Sequence, residues 1–248
     1  ALPISIINQK GGVGKTTTAV NLAAGLAASG QRVCLLDLDP QAHASLHVGV
    51  TSGEGESSVY DLLCGNSSLA EIRREISPQL SVVPSHIDLA AAELELAGEV
   101  GREMILRDRI EEDGTPFDFL IIDCPPSLGL ITINAFAAAT DILVPMQCEF
   151  YALEGLTQLQ KIVDLVQRNL NPNLRISRVV LTMFDPRTTL SVEVAQEVER
   201  AFPKEVCKTK IPRTVRLAEA PSFGQPITVF DPSSKGSLAY KALAKEFI

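Results

Sequence analysis

The chain has 248 residues, 46% of them hydrophobic and 21% charged, and 22 Lys+Arg against 30 Asp+Glu give a formal net charge of −8. That length supports a full hydrophobic core without metal or disulfide staples, and the composition excludes a disordered or collagen-like chain. With no Trp and 5% aromatic residues, an aromatic platform for single-stranded nucleic acid is not expected.

Short apolar runs alternate with helical stretches. Residues 3–8 are apolar and β-branched, followed by a glycine-rich turn and an Ala/Leu helix over 16–28. Further strands are expected over 32–38, 80–84, 117–123, 141–147 and 178–183, with two more over 206–211 and 227–230. Helices are expected over 89–97, 104–112, 128–139, 153–169, 191–201 and 237–247. Apolar runs without polar alternation suit strands buried on both faces, so the pattern predicts an α/β fold, a mostly parallel twisted sheet with helices on both faces. The low-complexity stretch 51–58 reads as an exposed loop within one domain covering 1–248.

Cys34, Cys64, Cys124, Cys148 and Cys207 form no CxxC pair and read as reduced, mostly buried small hydrophobes. His43 and His47 are spaced i,i+4 with no third ligand nearby, so a polar helix face is expected rather than a metal site. The N-terminus lacks a basic n-region, and the apolar stretch 128–139 is too short to span a bilayer. A cytoplasmic location follows, with no membrane partner expected.

Residues 9–17 read Gln-Lys-Gly-Gly-Val-Gly-Lys-Thr-Thr, between a strand and a helix. Gly11, Gly12, Val13 and Gly14 allow the backbone to curl so that successive N–H groups face one anion, and the following helix N-terminus adds its positive dipole end. In such a loop Lys15 reaches the β- and γ-phosphates and Thr16 ligates Mg²⁺, with Thr17 completing the cradle. The ordinary GxxxxGK[ST] pattern fails, because Gln9 stands where its first glycine belongs, and an additional lysine, Lys10, opens the loop.

KGGVGKTT resembles the deviant Walker A motif of the ParA/MinD superfamily of ATPases. The resemblance implies a P-loop NTPase fold, ATP and Mg²⁺ as ligands, and an ATP-dependent homodimer. It also implies that Lys10 crosses the dimer interface to the partner's nucleotide, neutralising charge as an arginine finger does.

Asp37 and Asp39 follow an apolar strand at i,i+2, so both lie on one side of its C-terminal edge, where open α/β sheets bind nucleotides. Asp39 resembles the family residue that orients the attacking water, and Asp37 a residue of the Mg²⁺ shell. Asp123, ending the run Phe119-Leu-Ile-Ile-Asp, is similar to a Walker B carboxylate that reaches Mg²⁺ through water.

The segment 145–156, Pro-Met-Gln-Cys-Glu-Phe-Tyr-Ala-Leu-Glu-Gly-Leu, resembles a ParA dimer-interface segment, which makes Glu149 and Tyr151 interface candidates. The segment 211–224, with Ile-Pro-Arg-Thr-Val-Arg-Leu, resembles a ParA/Soj segment that packs the adenine. By that likeness Pro212 and Arg213, with Met183 and Phe184 close by, hold the base. Thr214 departs from the Asn usual there. The match is closest to the short chromosomal Soj-type members, because nothing precedes the first strand, so operator-specific DNA recognition is not expected.

Residues 204–216 contain Lys204, Lys208, Lys210, Arg213 and Arg216 against Glu205, a net of +4 that leaves the remainder at −12. Such a strip on an acidic body binds phosphates in a salt-dependent way. The resemblance implies non-specific binding of double-stranded DNA, with Arg187 an additional contact, and hence a nucleoid-associated protein. It also implies a slow intrinsic ATPase for chromosome or plasmid segregation, stimulated by a ParB-type centromere-binding protein whose basic segment suits the acidic body. The alternative is a MinD-like or other ParA-type positioning ATPase acting on a membrane or a protein cargo.

Overall fold

The computed structural model describes residues 1–248 except Glu54 and Asn66. In chain order the elements are β1 (Leu2–Ile6), α1 (Lys15–Ala28), β2 (Val33–Asp37), α2 (His43–His47), α3 (Val59–Leu63), α4 (Leu69–Ile72), β3 (Arg74–Ser77), β4 (Leu80–Val83), α5 (Leu89–Glu95) and α6 (Ile105–Asp113). Then come β5 (Phe119–Asp123), α7 (Leu130–Ala138), β6 (Asp141–Gln147), α8 (Ala152–Asn169), β7 (Arg175–Thr182), α9 (Thr189–Ala201), α10 (Val215–Glu219), α11 (Ile227–Phe230) and α12 (Lys235–Lys245).

Among the described residues the strands form one seven-stranded sheet in the order β3-β4-β2-β5-β1-β6-β7. Every pairing is parallel except β3 against β4. The two-residue period of a strand sends alternate side chains to opposite faces, and each face has its own core. Val33, Leu35, Phe119, Ile121, Leu143 and Val180 pack with α1, α2 and α12. Cys34, Leu36, Leu120, Ile122, Val144 and Leu181 pack with α3 and with α5 through α9. β2 and β5 are buried at every position, which is why their sequences carry no polar alternation.

Helix α1 presses closely on α12. A Cβ at Gly25 would stand 3.0 Å from the Ala244 Cβ and 3.2 Å from the Tyr240 carbonyl oxygen. Gly25→Val is therefore expected to destabilise the protein by about 1–3 kcal/mol through overpacking. A denaturant midpoint unchanged from wild type would disprove that packing. Elsewhere Gly49, just past α2, meets Gly224 backbone to backbone, and both have positive φ. A Cβ at Gly224 would lie 2.9 Å from the Gly49 Cα, so neither position accepts a side chain.

Two expected strands are not strands. Residues 206–211 run beside β7 but pair only as isolated bridges, Val179 with Val206 and Phe184 with Pro212. The ladder breaks because the Lys208 and Thr209 N–H groups turn to the Glu246 carboxylate, at 3.0 and 2.8 Å. Residues 227–230 form α11, because Pro226 starts a helical turn and its carbonyl accepts from Val229 and Phe230. The antiparallel β3 and the short helices α3, α4 and α10 were not expected. The low-complexity loop bends between α2 and α3, and its residue Glu54 lies outside the described residues. The expected polar face of His43 and His47 is also corrected. His43 is exposed, but His47 is buried and its pKa falls to about 4 because burial disfavours the imidazolium. Four cysteines are buried and Cys64 is half-buried, as expected of small hydrophobes.

Candidate functional site

The C-terminal ends of β1, β2 and β5 lie side by side, and the sequence-predicted phosphate and carboxylate residues converge there. In register, Ile6 pairs with Asp123, and Asp37 with Asp123. The loop between β1 and α1 turns at Gly12 and Gly14, with φ of 74° and 85°, a left-handed backbone that glycine adopts without a Cβ clash. Gly14 is also the residue from which α1 starts. The loop is held at both ends. The Asn8 amide donates to the Pro145 carbonyl at 2.9 Å, and the Lys10 N–H donates back to Asn8 Oδ1 at 2.9 Å. From β7, the Thr182 hydroxyl donates to the Val13 carbonyl at 2.8 Å.

Lys15 is nearly buried, and its ammonium donates to the Lys10 carbonyl at 3.1 Å. Burial lowers its pKa, while the charges of Asp123 and Asp39 oppose that fall. Thr16 and Thr17, in the first turn of α1, are half-buried.

The carboxylates differ in how they are satisfied. Asp37 is buried and accepts from the Ser45 N–H, the Ser45 hydroxyl and the Asp39 N–H. Burial still pushes its pKa up to about 6, against the pull of those donors. Asp123 is fully buried, and neither of its oxygens has a hydrogen-bond partner among the described residues. Burial first, and then the neighbouring Asp37 charge, raise its pKa well above the usual carboxylate range. A buried carboxylate with both oxygens orphaned beside a second carboxylate fits a divalent cation or its water shell. Thr16, Asp37 and Asp123 are oxygen donors of the kind Mg²⁺ takes. Asp39, half-buried, accepts from the Gln41 N–H at 3.0 Å.

Beside the loop, a cavity of about 240 Å³ is lined by Gly14, Thr17, Met183, Ile211, Pro212 and Arg213, among others. Its volume and mostly apolar wall suit a nucleobase. Met183 holds φ of 50°, strained for a side chain with a Cβ, where the chain leaves β7 to enter this wall. Thr214, where Asn was the family expectation, accepts from the Leu217 N–H at 3.2 Å and caps α10. Its hydroxyl therefore serves the wall's own fold.

Of the expected interface residues, Lys10 and Glu149 meet within the chain, as an ion pair. Tyr151 is 70% exposed beside an equally bare Phe150, the two rings edge to face at 5.1 Å. The expected DNA-contacting cations are more dispersed. Arg187 pairs with Asp185 at 2.7 Å, Lys210 with Glu199 at 2.8 Å, and Arg216 with both Glu219 and Asp231. Lys204, Lys208 and Arg213 have no ion pair among the described residues. Sequence reasoning missed Asn8, Ser45 and Thr182, ordinary polar residues whose partners lie far away or outside any motif. Among the described residues no helix is long and apolar enough to cross a membrane.

The AAA domain family matches residues 2–176. The sporulation initiation inhibitor protein Soj of Bacillus subtilis is 50% identical over 244 residues, 98% of this chain and 96% of that protein. The chromosome partitioning protein ParA of Myxococcus xanthus is 47% identical over 99% of this chain and 87% of its own length. Among solved structures, cobyrinic acid a,c-diamide synthase from Mycobacterium smegmatis with bound ADP and magnesium superposes with a TM-score of 0.85. It is 35% identical, covering 98% of this chain and 92% of that one. The Pyrococcus furiosus cell division ATPase MinD gives 0.81 at 26% identity, over 98% and 97% of the two chains. With 50% and 47% identity sustained along almost the whole chain, and with the two-lysine glycine loop set against paired carboxylates, this chain belongs to the ParA/Soj family.

Proposed function

We propose that the protein is a Mg·ATP-dependent switch for chromosome or plasmid segregation. The observation that carries this reading is the buried, orphaned Asp123 beside Asp37 under a two-lysine phosphate loop, in a chain whose relatives are partitioning proteins. The loop N–H groups, Lys15 and the start of α1 hold the phosphates. The cavity between Met183 and Pro212 takes the adenine. Thr16, Asp37 and Asp123 would hold Mg²⁺, which would supply charge neutralisation for phosphoryl transfer. Asp39 orients the attacking water, and hydrolysis proceeds by positioning and electrostatics without a covalent enzyme intermediate.

Lys10, released from Glu149, reaches the nucleotide of a second protomer, so turnover is tied to a sandwich homodimer in which Glu149 and Tyr151 lie at the interface. The ATP dimer joins two basic strips, adding Arg187, Lys208, Lys210, Arg213 and Arg216 from each protomer, and binds double-stranded DNA without sequence preference. Hydrolysis, slow alone and stimulated by a ParB-type partner, releases it. The protein thereby acts in the cytoplasm, on the nucleoid.

Lys204→Glu/Lys208→Glu tests the DNA surface, because neither side chain is ion-paired among the described residues and neither lines the base cavity. Two phosphate contacts fewer per protomer are expected to reduce the slope of log affinity against log salt by about 2 per protomer. Undiminished binding to random duplex across the salt series would remove these residues from the DNA surface.

A further inference from the structure

Asp37 closes β2 with its carboxylate buried, and one residue supplies two of its three hydrogen bonds. The Ser45 N–H reaches Oδ2 at 2.8 Å and the Ser45 hydroxyl reaches the same oxygen at 2.7 Å. The third is the Asp39 N–H on Oδ1 at 3.2 Å. A hydroxyl has one proton and a carboxylate only accepts, so that proton goes to Asp37. The hydroxyl oxygen is left to accept, and it takes the Ser85 N–H at 3.1 Å. Ser45 and Ser85 are each 1% exposed, so bulk water is not at hand to replace either bond.

The geometry points to Ser45 as a positioning residue for the divalent-cation site, its hydroxyl fixing the Asp37 carboxylate and tying it to the loop that leaves β4. This deepens the Mg·nucleotide reading above and rests on it. The reason for such a clamp lies in the neighbour. Asp123 stands in register with Asp37 and carries two oxygens without partners. Like charges this close repel, and an Asp37 free to rotate would swing away from Asp123 and from any cation they share. The Ser45 hydroxyl opposes that rotation. Because Oδ1 of the same carboxylate receives the Asp39 N–H, the clamp also sets the backbone from which Asp39 projects. Groups that orient a metal's ligands commonly change metal affinity by about 10–100-fold when removed.

The test is Mn²⁺ titrated into the ADP-bound full chain and followed by electron paramagnetic resonance, with ADP affinity measured separately in chelator. Ser45→Ala is expected to weaken Mn²⁺ uptake about 10–100-fold and to leave metal-free ADP affinity unchanged. Ser45→Thr keeps the hydroxyl and is expected to restore Mn²⁺ uptake. A purely structural role would lower the Tm of Ser45→Ala and leave Mn²⁺ affinity at the wild-type value, and that result overturns the assignment. Should Ser45→Ala fail to fold, Ser45→Cys keeps the volume but offers only a weak S–H donor. It is expected to lose Mn²⁺ affinity, and wild-type affinity there overturns the assignment equally. If wild-type protein with ADP takes up no Mn²⁺, the cation-site reading itself fails, independently of Ser45.

Discussion

Lys15→Ala is expected to abolish nucleotide binding, raising the Kd at least about 100-fold, or about 2.7 kcal/mol. Lys15 is the buried cation of the phosphate loop, with its ammonium near the Lys10 carbonyl and under the field of Asp123 and Asp39. A hydrogen bond to a charged group contributes about 1.5–3 kcal/mol, and this side chain is placed to serve two phosphates. Its loss also leaves Asp37, Asp39 and Asp123 facing the nucleotide without a compensating charge, which adds repulsion to the missing attraction. The measurement is titration of a fluorescent ATP analogue. A Kd within about threefold of wild type, under 0.7 kcal/mol, would show that Lys15 does not contact the phosphates.

Asp39→Ala is expected to behave in the opposite sense, keeping ATP and losing hydrolysis. Its carboxylate accepts one turn hydrogen bond, from Gln41, and it is half-buried at the mouth of the site. Removing it therefore costs little in folding. Loss of a group that positions the attacking water is expected to slow single-turnover hydrolysis by about 100–10,000-fold. With hydrolysis blocked, the ATP-bound dimer accumulates. Light scattering with ATP, with ADP and without nucleotide reads this directly. A variant that stays monomeric in ATP and turns over normally would end the proposed role of Asp39.

The parts of the fold legible in the sequence are those where one physical constraint dominates. β2 and β5 are covered on both faces, so their apolar runs are unbroken and give their positions away. Gly12 and Gly14 sit where the backbone needs positive φ, so the loop is visible as glycines. Asp37 and Asp123 are visible because a carboxylate ending an apolar run contradicts burial unless a site needs it. β3 was hidden because this edge strand alternates half-buried and exposed residues with no fully buried one, and Arg-Glu-Ile-Ser resembles a loop. The helices α3 and α4 open on capping boxes, Ser58 with Asp61 and Ser68 with Glu71, but they are too short for apolar periodicity to show and were missed. Lys10 with Glu149 and Ser45 with Ser85 were hidden for another reason. Their partners meet only through the packing of the whole sheet, and spacing along the chain carries no trace of that.

The contact between Gly49 and Gly224 connects the phosphate side of the site to the base side mechanically. Gly49 ends the segment that begins at Asp39 and carries α2, on the phosphate side. Gly224 ends the turn that follows α10, on the base side. With no side chain between them, the two backbones bear directly on each other, so there is no compliant layer to absorb a shift. A displacement of either backbone is therefore passed on to the other, and a side chain introduced at either glycine would push the segment carrying α2 away from the turn after α10.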